Sequence, residues 1–340
     1  MEATKNTTIR QPVRTMQAAV QTGYGAAREV VGMQEVPIPE VDADQVLIEV
    51  AGSSTNALDG HFLTGTPYFF RLQIGLATPN RTTPGADVSG TVVALGPGVT
   101  DFSVGDRVFG EIHQGGFADY AVADVSGLAH APASIPLEES ATLGVAALTA
   151  LQGLRDWGRM KVGDRVLING GSGGVGTFAI QIAKALGASH VTAVVSTPNV
   201  EIAGSIGADR VIDYRKEDFT ALPETFDVFF DNAGSKSLTT SRRMVEPGGT
   251  MVMVTGQKGK WLAPLPRMIA GSLRARSWSQ RWGNGVARQS GADGTTLARM
   301  VDEGLIRPVI DRRFTLDEAV DALAYQAEGH ARGKSLVVVS

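Results

Sequence analysis

A chain of 340 residues with 43% hydrophobic and 19% charged content has room for one to three ordered domains and a large core. A formal net charge of −4 gives no reason to expect nucleic acid or an anionic membrane as partner, and no stretch approaches the roughly 18 uninterrupted apolar residues that cross a bilayer. The absence of cysteine excludes disulfides, thiolate zinc sites and cysteine nucleophiles together.

Residues 1–15, MEATKNTTIRQPVRT, lack the apolar core of a secretory signal. Glu2 and the want of an amphipathic pattern favour a disordered tail over a transit peptide. The cytoplasm is the expected compartment. Met16 to Val20 opens the folded part, Val46 to Val50 reads as a strand, and Val36 to Val41, with two prolines, as a connection. Gly85 to Val93, Gly105 to Phe109 and Gly115 to Val122 each read as turn and strand. Short strands at close spacing, punctuated by glycine, predict a β-rich domain. Tyr68-Phe69-Phe70 reads as core, with an apolar pocket lining as the alternative.

From Pro136 to Leu154 the pattern turns helical. Strands are then expected at Val166–Ile168, His190–Val195, Arg210–Asp213, Asp227–Asp231 and Thr250–Val254, with helices between them, including Val200–Ile206 and Leu238–Val245. This alternation predicts an α/β fold with a doubly wound parallel sheet. Residues 257–290 read as a mobile cover with one helix. The tail reads as helix, strand, helix, strand, and its two strands are expected to rejoin the β-rich domain. The predicted boundaries are a tail over 1–15, a β-rich catalytic domain over 16–138 completed by 291–340, and a nucleotide-binding domain over 139–290.

The centre of the chain is the run RVLINGGSGGVGTFAIQIAKALG, residues 165–187. A short apolar strand, a glycine turn and an amphipathic helix follow in that order. Gly171, Gly173 and Gly176 match G-x-G-x-x-G in the context that motif requires. A helix N-terminus offers a diphosphate unpaired N–H groups and the positive end of a dipole, and side chains in the turn would block the approach.

These motifs resemble the zinc-independent quinone oxidoreductase branch of the medium-chain dehydrogenase/reductases. The resemblance rests on Asn56-Ala57-Leu58-Asp59, Pro84 to Gly90, Gly105 to Val108, Gly115 to Tyr120, Leu148-Thr149-Ala150, the glycine turn, Gly207-Ala208-Asp209 and Gly329 to Lys334. It implies a GroES-like catalytic domain beside a Rossmann domain, with the cofactor between them, and a homodimer joined through an edge of the Rossmann sheet. The departures from zinc-dependent relatives are specific. Asn56 stands where a cysteine ligand would be, and Ala86 and Asp87 stand where Gly-His-Glu would be. No metal is expected. A reductase of quinones or α,β-unsaturated carbonyls is the first expectation; an enoyl-thioester reductase and a non-catalytic NADPH-binding protein are the alternatives.

By the same resemblance, Asn56 and Thr149 touch the nicotinamide ribose or amide, and Asp59 orients the short loop that it shares with Asn56 and His61. The cofactor set is Thr149, Ser172, Gly173, Gly174 and Val175, with Ser196 and Tyr214 near a 2′-phosphate, and Asn232, Thr255 and Gly256. The second strand ends Val194-Val195-Ser196-Thr197-Pro198 without an acid, which favours NADPH over NADH. His61, in the Asn56 loop, is titratable near neutrality and is read either as a proton donor to the developing enolate or as a surface histidine, with solvent as the other proton source. His113, His130, His190 and His330 show no ligand spacing.

Overall fold

The computed structural model describes residues 14–254, 265–275, 277–329 and 331–339. The expected tail up to residue 13, the cofactor candidates Thr255 and Gly256, and His330 lie outside the described residues. Seven described strands precede residue 165: β1 (Thr15–Gln21), β2 (Val31–Pro37), β3 (Gln45–Ser54), β4 (Asp87–Leu95), β5 (Arg107–Glu111), β6 (Tyr120–Asp124) and β7 (Leu128–His130). Six more run from there to residue 284: β8 (Arg165–Asn169), β9 (His190–Val195), β10 (Arg210–Asp213), β11 (Phe226–Asp231), β12 (Val245–Met253) and β13 (Arg281–Asn284). The tail adds β14 (Ile310–Thr315) and β15 (Lys334–Val338).

The strands sort into two principal sheets, and β1 pairs separately with β2. The first runs β14-β15-β3-β4-β5-β7, with β6 on β3; β15 joins antiparallel to β3, so the tail does return to the β-rich part of the chain. The second is parallel, in the order β10-β9-β8-β11-β12-β13. Its order reverses between β8 and β11. In such sheets ligands bind at the carboxyl ends of the strands flanking that point. β8 is the reason the sheet forms there: Val166, Leu167 and Ile168 are fully buried, as a strand covered on both faces requires.

Four expectations change. Val36 and Pro37 end β2 rather than form a connection; at this position proline needs no ladder donor. The helix after Leu238 stops at Arg242, and Val245 already belongs to β12. Residues 257–290 contain the expected helix, Leu265–Ala275, but also β13, which extends the sheet beside β12. Its four residues, RWGN, carry no apolar alternation to announce a strand. Tyr68, Phe69 and Phe70 form a half-exposed 3₁₀ turn rather than core; Phe70 meets Phe62 edge-on at 5.3 Å, and Arg71 lies over the Tyr68 ring.

The buried helix Val145–Gln152 ties the two sheets together. One end meets β4, and its flank packs on the helix Gly174–Ala185 that follows the glycine turn.

Candidate active site

The turn after β8 is built by glycines with different tasks. A Cβ on Gly173 would meet nothing within 4 Å, so the space in front of the turn is open. A Cβ on Gly176 would lie 2.1 Å from the Gly170 carbonyl oxygen, so only glycine lets the helix Gly174–Ala185 start so close to the strand. Beside the turn lies a cavity of about 520 Å³, lined by residues including Asn169, Ser172, Val195, Tyr214, Phe219 and Lys236. Asn169 Nδ2 donates to Asp231 Oδ1 at 2.8 Å, and Asn232 N–H donates to the Asn169 carbonyl at 2.9 Å. These bonds close the floor between β8 and β11.

Two acids line the cavity, and both are paired. Lys236 bonds Asp218 at 2.9 Å and, with the Thr220 amide and hydroxyl, holds its carboxyl down at about 2. Glu217 meets Arg210 at 3.1 Å. Tyr214, 56% exposed, leans on the cavity from the end of β10. Ser196 Oγ accepts from Asn199 Nδ2 at 2.9 Å. Asp213, the register partner of Val195, turns its carboxylate inward onto the Arg215 N–H at 3.0 Å and the Lys216 ammonium at 3.6 Å.

The second half of the site is the loop between β3 and the helix Ala57–Thr64. Asn56 is the N-cap of that helix. Its backbone N–H donates to Asp59 Oδ2 at 2.6 Å, which is half of a capping box. The Asn56 side chain does not cap. Its Nδ2 donates to the Ser54 carbonyl at 3.3 Å and to Asp87 Oδ2 at 2.8 Å. Its Oδ1 accepts from Lys334 Nζ at 2.5 Å. This network assigns the amide orientation: the reverse would set an N–H against the ammonium and an oxygen against the carboxylate.

Asp87 is the hub. Besides Asn56 it accepts from the Ser54 hydroxyl, from Lys334 Nζ at 3.1 Å and, through Oδ1, from the Val145 N–H at 2.7 Å. The last donor opens the helix that carries Thr149, whose own hydroxyl bonds the Val145 carbonyl at 2.6 Å. Asp59 is buried, with Oδ1 accepting from Ala86 N–H at 3.2 Å. Burial, followed by the Asp87 charge, pushes its carboxyl up to about 6, against the pull of the Asn56 N–H, Lys334 and Gln114. Burial, then Asp87 and Asp59, pushes Glu111 up to about 8. Gln114, close by, has φ 129°, a left-handed strain of the kind that collects at functional sites.

Asn56 is bonded to Asp87 through its side chain and to Asp59 through its N–H, and Thr149 lies one turn along the helix whose first N–H Asp87 accepts. His61 does not enter this cluster. It is exposed, and its Nδ1 sits 2.7 Å from the Thr66 carbonyl. The sequence reading missed Lys334, the anchoring role of Asp87, and Glu111. Lys334 stood in the terminal motif Gly329 to Lys334, and Asp87 was visible as a departure from Gly-His-Glu. Nothing local announces a bond between residues 247 positions apart.

The two halves of the site touch. Gly333 N–H donates to the Ser172 carbonyl at 2.9 Å, and Gly333 bridges Gly173. The next residue is Lys334.

Family comparisons agree with this two-part architecture. An alcohol dehydrogenase GroES-like domain model matches residues 42–133, and a zinc-binding dehydrogenase model matches 206–338. The 2-methylene-furan-3-one reductase of Solanum lycopersicum is 33% identical over 95% of this chain and 79% of its own. The chain belongs to the quinone oxidoreductase branch of the medium-chain dehydrogenase/reductase superfamily. It is a nicotinamide-dependent oxidoreductase. The chloroplastic NADPH-dependent alkenal/one oxidoreductase of Arabidopsis thaliana is 31% identical over 95% of this chain and 80% of its own. The quinone oxidoreductase from Coxiella burnetii superposes with a TM-score of 0.83 at 28% identity, covering 96% of this chain and 100% of the other.

Proposed function

We propose that the chain is an NADPH-dependent, zinc-independent reductase that adds hydride to quinones or α,β-unsaturated carbonyls. The observation that carries this reading is the abutment of the open glycine turn on the Asn56 loop, made through the consecutive residues Gly333 and Lys334. The named activities of the tomato, Arabidopsis and Coxiella proteins support the substrate class.

The residues present fit a dinucleotide. Gly173 leaves the front of the turn free, and the helix Gly174–Ala185 presents its N-terminal amides there. Ser172 to Val175 would hold the diphosphate, with Asn232 and Thr149 further along the cleft. The end of β9 supports NADPH over NADH: Ser196, Thr197 and Pro198 carry no charge, Asp213 is already bonded, and Arg215 and Lys216 are exposed nearby in sequence. When bound, the reduced nicotinamide supplies the hydride.

The donor set does not suit zinc. Ala86 has no ligand atom, and Asn56 Oδ1 is occupied by an ammonium. With no Lewis acid to hold an alkoxide, the acceptor must bring its own electrophilic conjugation, as quinones and enones do. In this reading the proton comes from His61 or from solvent. With Nδ1–H bonded to Thr66, a neutral imidazole would present Nε2 only as an acceptor, so donation from Nε2 requires the doubly protonated ring. Residues 16–138 with 291–340 form the catalytic unit and 139–290 the nucleotide unit. The working assembly is a cytoplasmic homodimer joined through an edge of the parallel sheet, where β13 is the last strand among the described residues.

The test is the loss of NADPH and of NADH against quinones, alkenals, enones and enoyl thioesters, with product analysis. NADPH-selective turnover to a hydroquinone or a saturated carbonyl supports the reading. Turnover on thioesters alone replaces the substrate class. Binding of both cofactors without oxidation by any acceptor overturns catalysis.

A further inference from the structure

Lys334 is a lysine almost wholly removed from water, 2% exposed, bonded to an aspartate that is 0% exposed. Removing an ammonium and a carboxylate from water costs several kcal/mol each unless every donor and acceptor is satisfied. Here they are. The three N–H donors of Nζ meet three oxygens: the Thr55 carbonyl at 3.0 Å, Asn56 Oδ1 at 2.5 Å and Asp87 Oδ2 at 3.1 Å. Asp87 Oδ2 in turn takes Asn56 Nδ2, so cation, anion and carboxamide close a ring of hydrogen bonds.

The stem of the same lysine runs to the other half of the site. Its Cδ would lie 2.8 Å from a Cβ on Gly174, the first residue of the nucleotide helix. The preceding residue, Gly333, has φ 99° and bonds Ser172. A Cβ there would strike the Val309 carbonyl at 2.2 Å. The backbone that delivers Lys334 is therefore held by the nucleotide turn, while its ammonium holds the Asn56 loop.

We propose that Lys334 is a positioning residue for hydride transfer: anchored by Asp87, it fixes the Asn56 carboxamide in one orientation and ties the placement of the Asn56 loop to that of the glycine turn. This rests on the functional reading above, which places the reacting centre between those two halves. The ammonium spends its three donors on the catalytic loop and Asp87. It has none left for a diphosphate, so its contribution falls on geometry at the reacting centre rather than on cofactor affinity. Misplacement of a positioning group by about an ångström costs rate on the order of a hundredfold without new chemistry.

The experiment compares Lys334→Met and Lys334→Met/Asp87→Asn with wild type. The single variant leaves a buried carboxylate unpaired and risks unfolding. The double variant removes both charges while keeping an acceptor for the Val145 N–H. Three quantities are read: NADPH affinity by fluorescence titration, the single-turnover rate at saturating NADPH and enone, and hydrogen exchange of the Asn56 side-chain amide by NMR. The expected result in a folded variant is a single-turnover rate lower by about tenfold to a hundredfold, Asn56 amide exchange faster by at least about tenfold, and NADPH affinity within about threefold of wild type. A folded double variant with a wild-type single-turnover rate, with unchanged Asn56 exchange, or with its loss confined to NADPH affinity would overturn the proposal. A wild-type protein that oxidises NADPH with no acceptor would instead sink the functional reading, and the exchange measurement would still decide whether Lys334 anchors Asn56.

Discussion

Glu111 and Asp87 face each other across β5 and β4 as register partners. Beside them Asp59 makes a third carboxyl group, and Lys334 is bonded to only one of the three. Asp87 takes the ammonium. Glu111 Oε2 is buried and finds no hydrogen-bond partner among the described residues. Protonation is its way out.

A stability profile follows from that pair. Glu111 rises from an ordinary 4.5 to about 8 in the fold. Between those values the folded chain holds a proton that the unfolded chain has lost, so stability falls as pH rises. The slope is at most about 1.4 kcal/mol per pH unit, and the contribution is complete below the unfolded value and gone above the folded one. Glu111→Gln copies the protonated acid. Urea unfolding across this range should show a flatter profile in the variant and greater stability than wild type at the alkaline end. Parallel profiles would show that Glu111 is ionised in the fold.

Asp59 serves as a double backbone cap. Its two oxygens accept the Asn56 and Ala86 N–H groups. Asp59→Ala orphans both donors in a buried setting, at roughly 1–3 kcal/mol each. A drop of about 2–5 kcal/mol in urea unfolding is expected. A loss under about 1 kcal/mol would mean that water or Gln114 replaces the carboxylate.

The two glycines of the turn should fail differently. Gly173→Val fills open space, so the variant should keep its melting temperature and lose NADPH binding. Gly176→Ala drives a methyl toward the Gly170 carbonyl and should lower the melting temperature itself. Normal NADPH titration of a folded Gly173→Val protein would refute the placement of the diphosphate.

His61→Ala should lower turnover, with NADPH affinity within about threefold of wild type, because His61 is exposed and its ring bonds only the Thr66 carbonyl among the described residues. Turnover unchanged across pH would assign the proton to solvent.

The local signals in this sequence carried far. Buried parallel strands are short apolar runs, so β8 and β9 were legible almost to the residue; the glycine turn showed where a strand meets a helix N-terminus. β13 was not legible. RWGN has neither alternation nor apolar continuity, and it becomes a strand only because β12 offers it a free edge. Tyr68 to Phe70 misled in the opposite sense, since an aromatic run looks like core whether or not anything covers it.

Asn56, Asp59 and Thr149 were visible as residues of a family pattern, and Asn56 and Asp59 share one helix start, where three-residue spacing brings a cap and its acid together. By itself the sequence determined the fold class, the nucleotide turn and the Asn56 loop, because each depends on neighbours along the chain. Only the tertiary structure decided which charges meet. Lys334 reaches Asp87 because β15 returns antiparallel onto β3, and β3 lies against β4. The Glu111 carboxyl is pushed up by its burial first and by the Asp87 charge second, because β5 pairs beside β4. Pairing and burial of these charges depend on contacts between residues 31 to 247 positions apart and on strands paired side by side, and no periodicity in the chain encodes them.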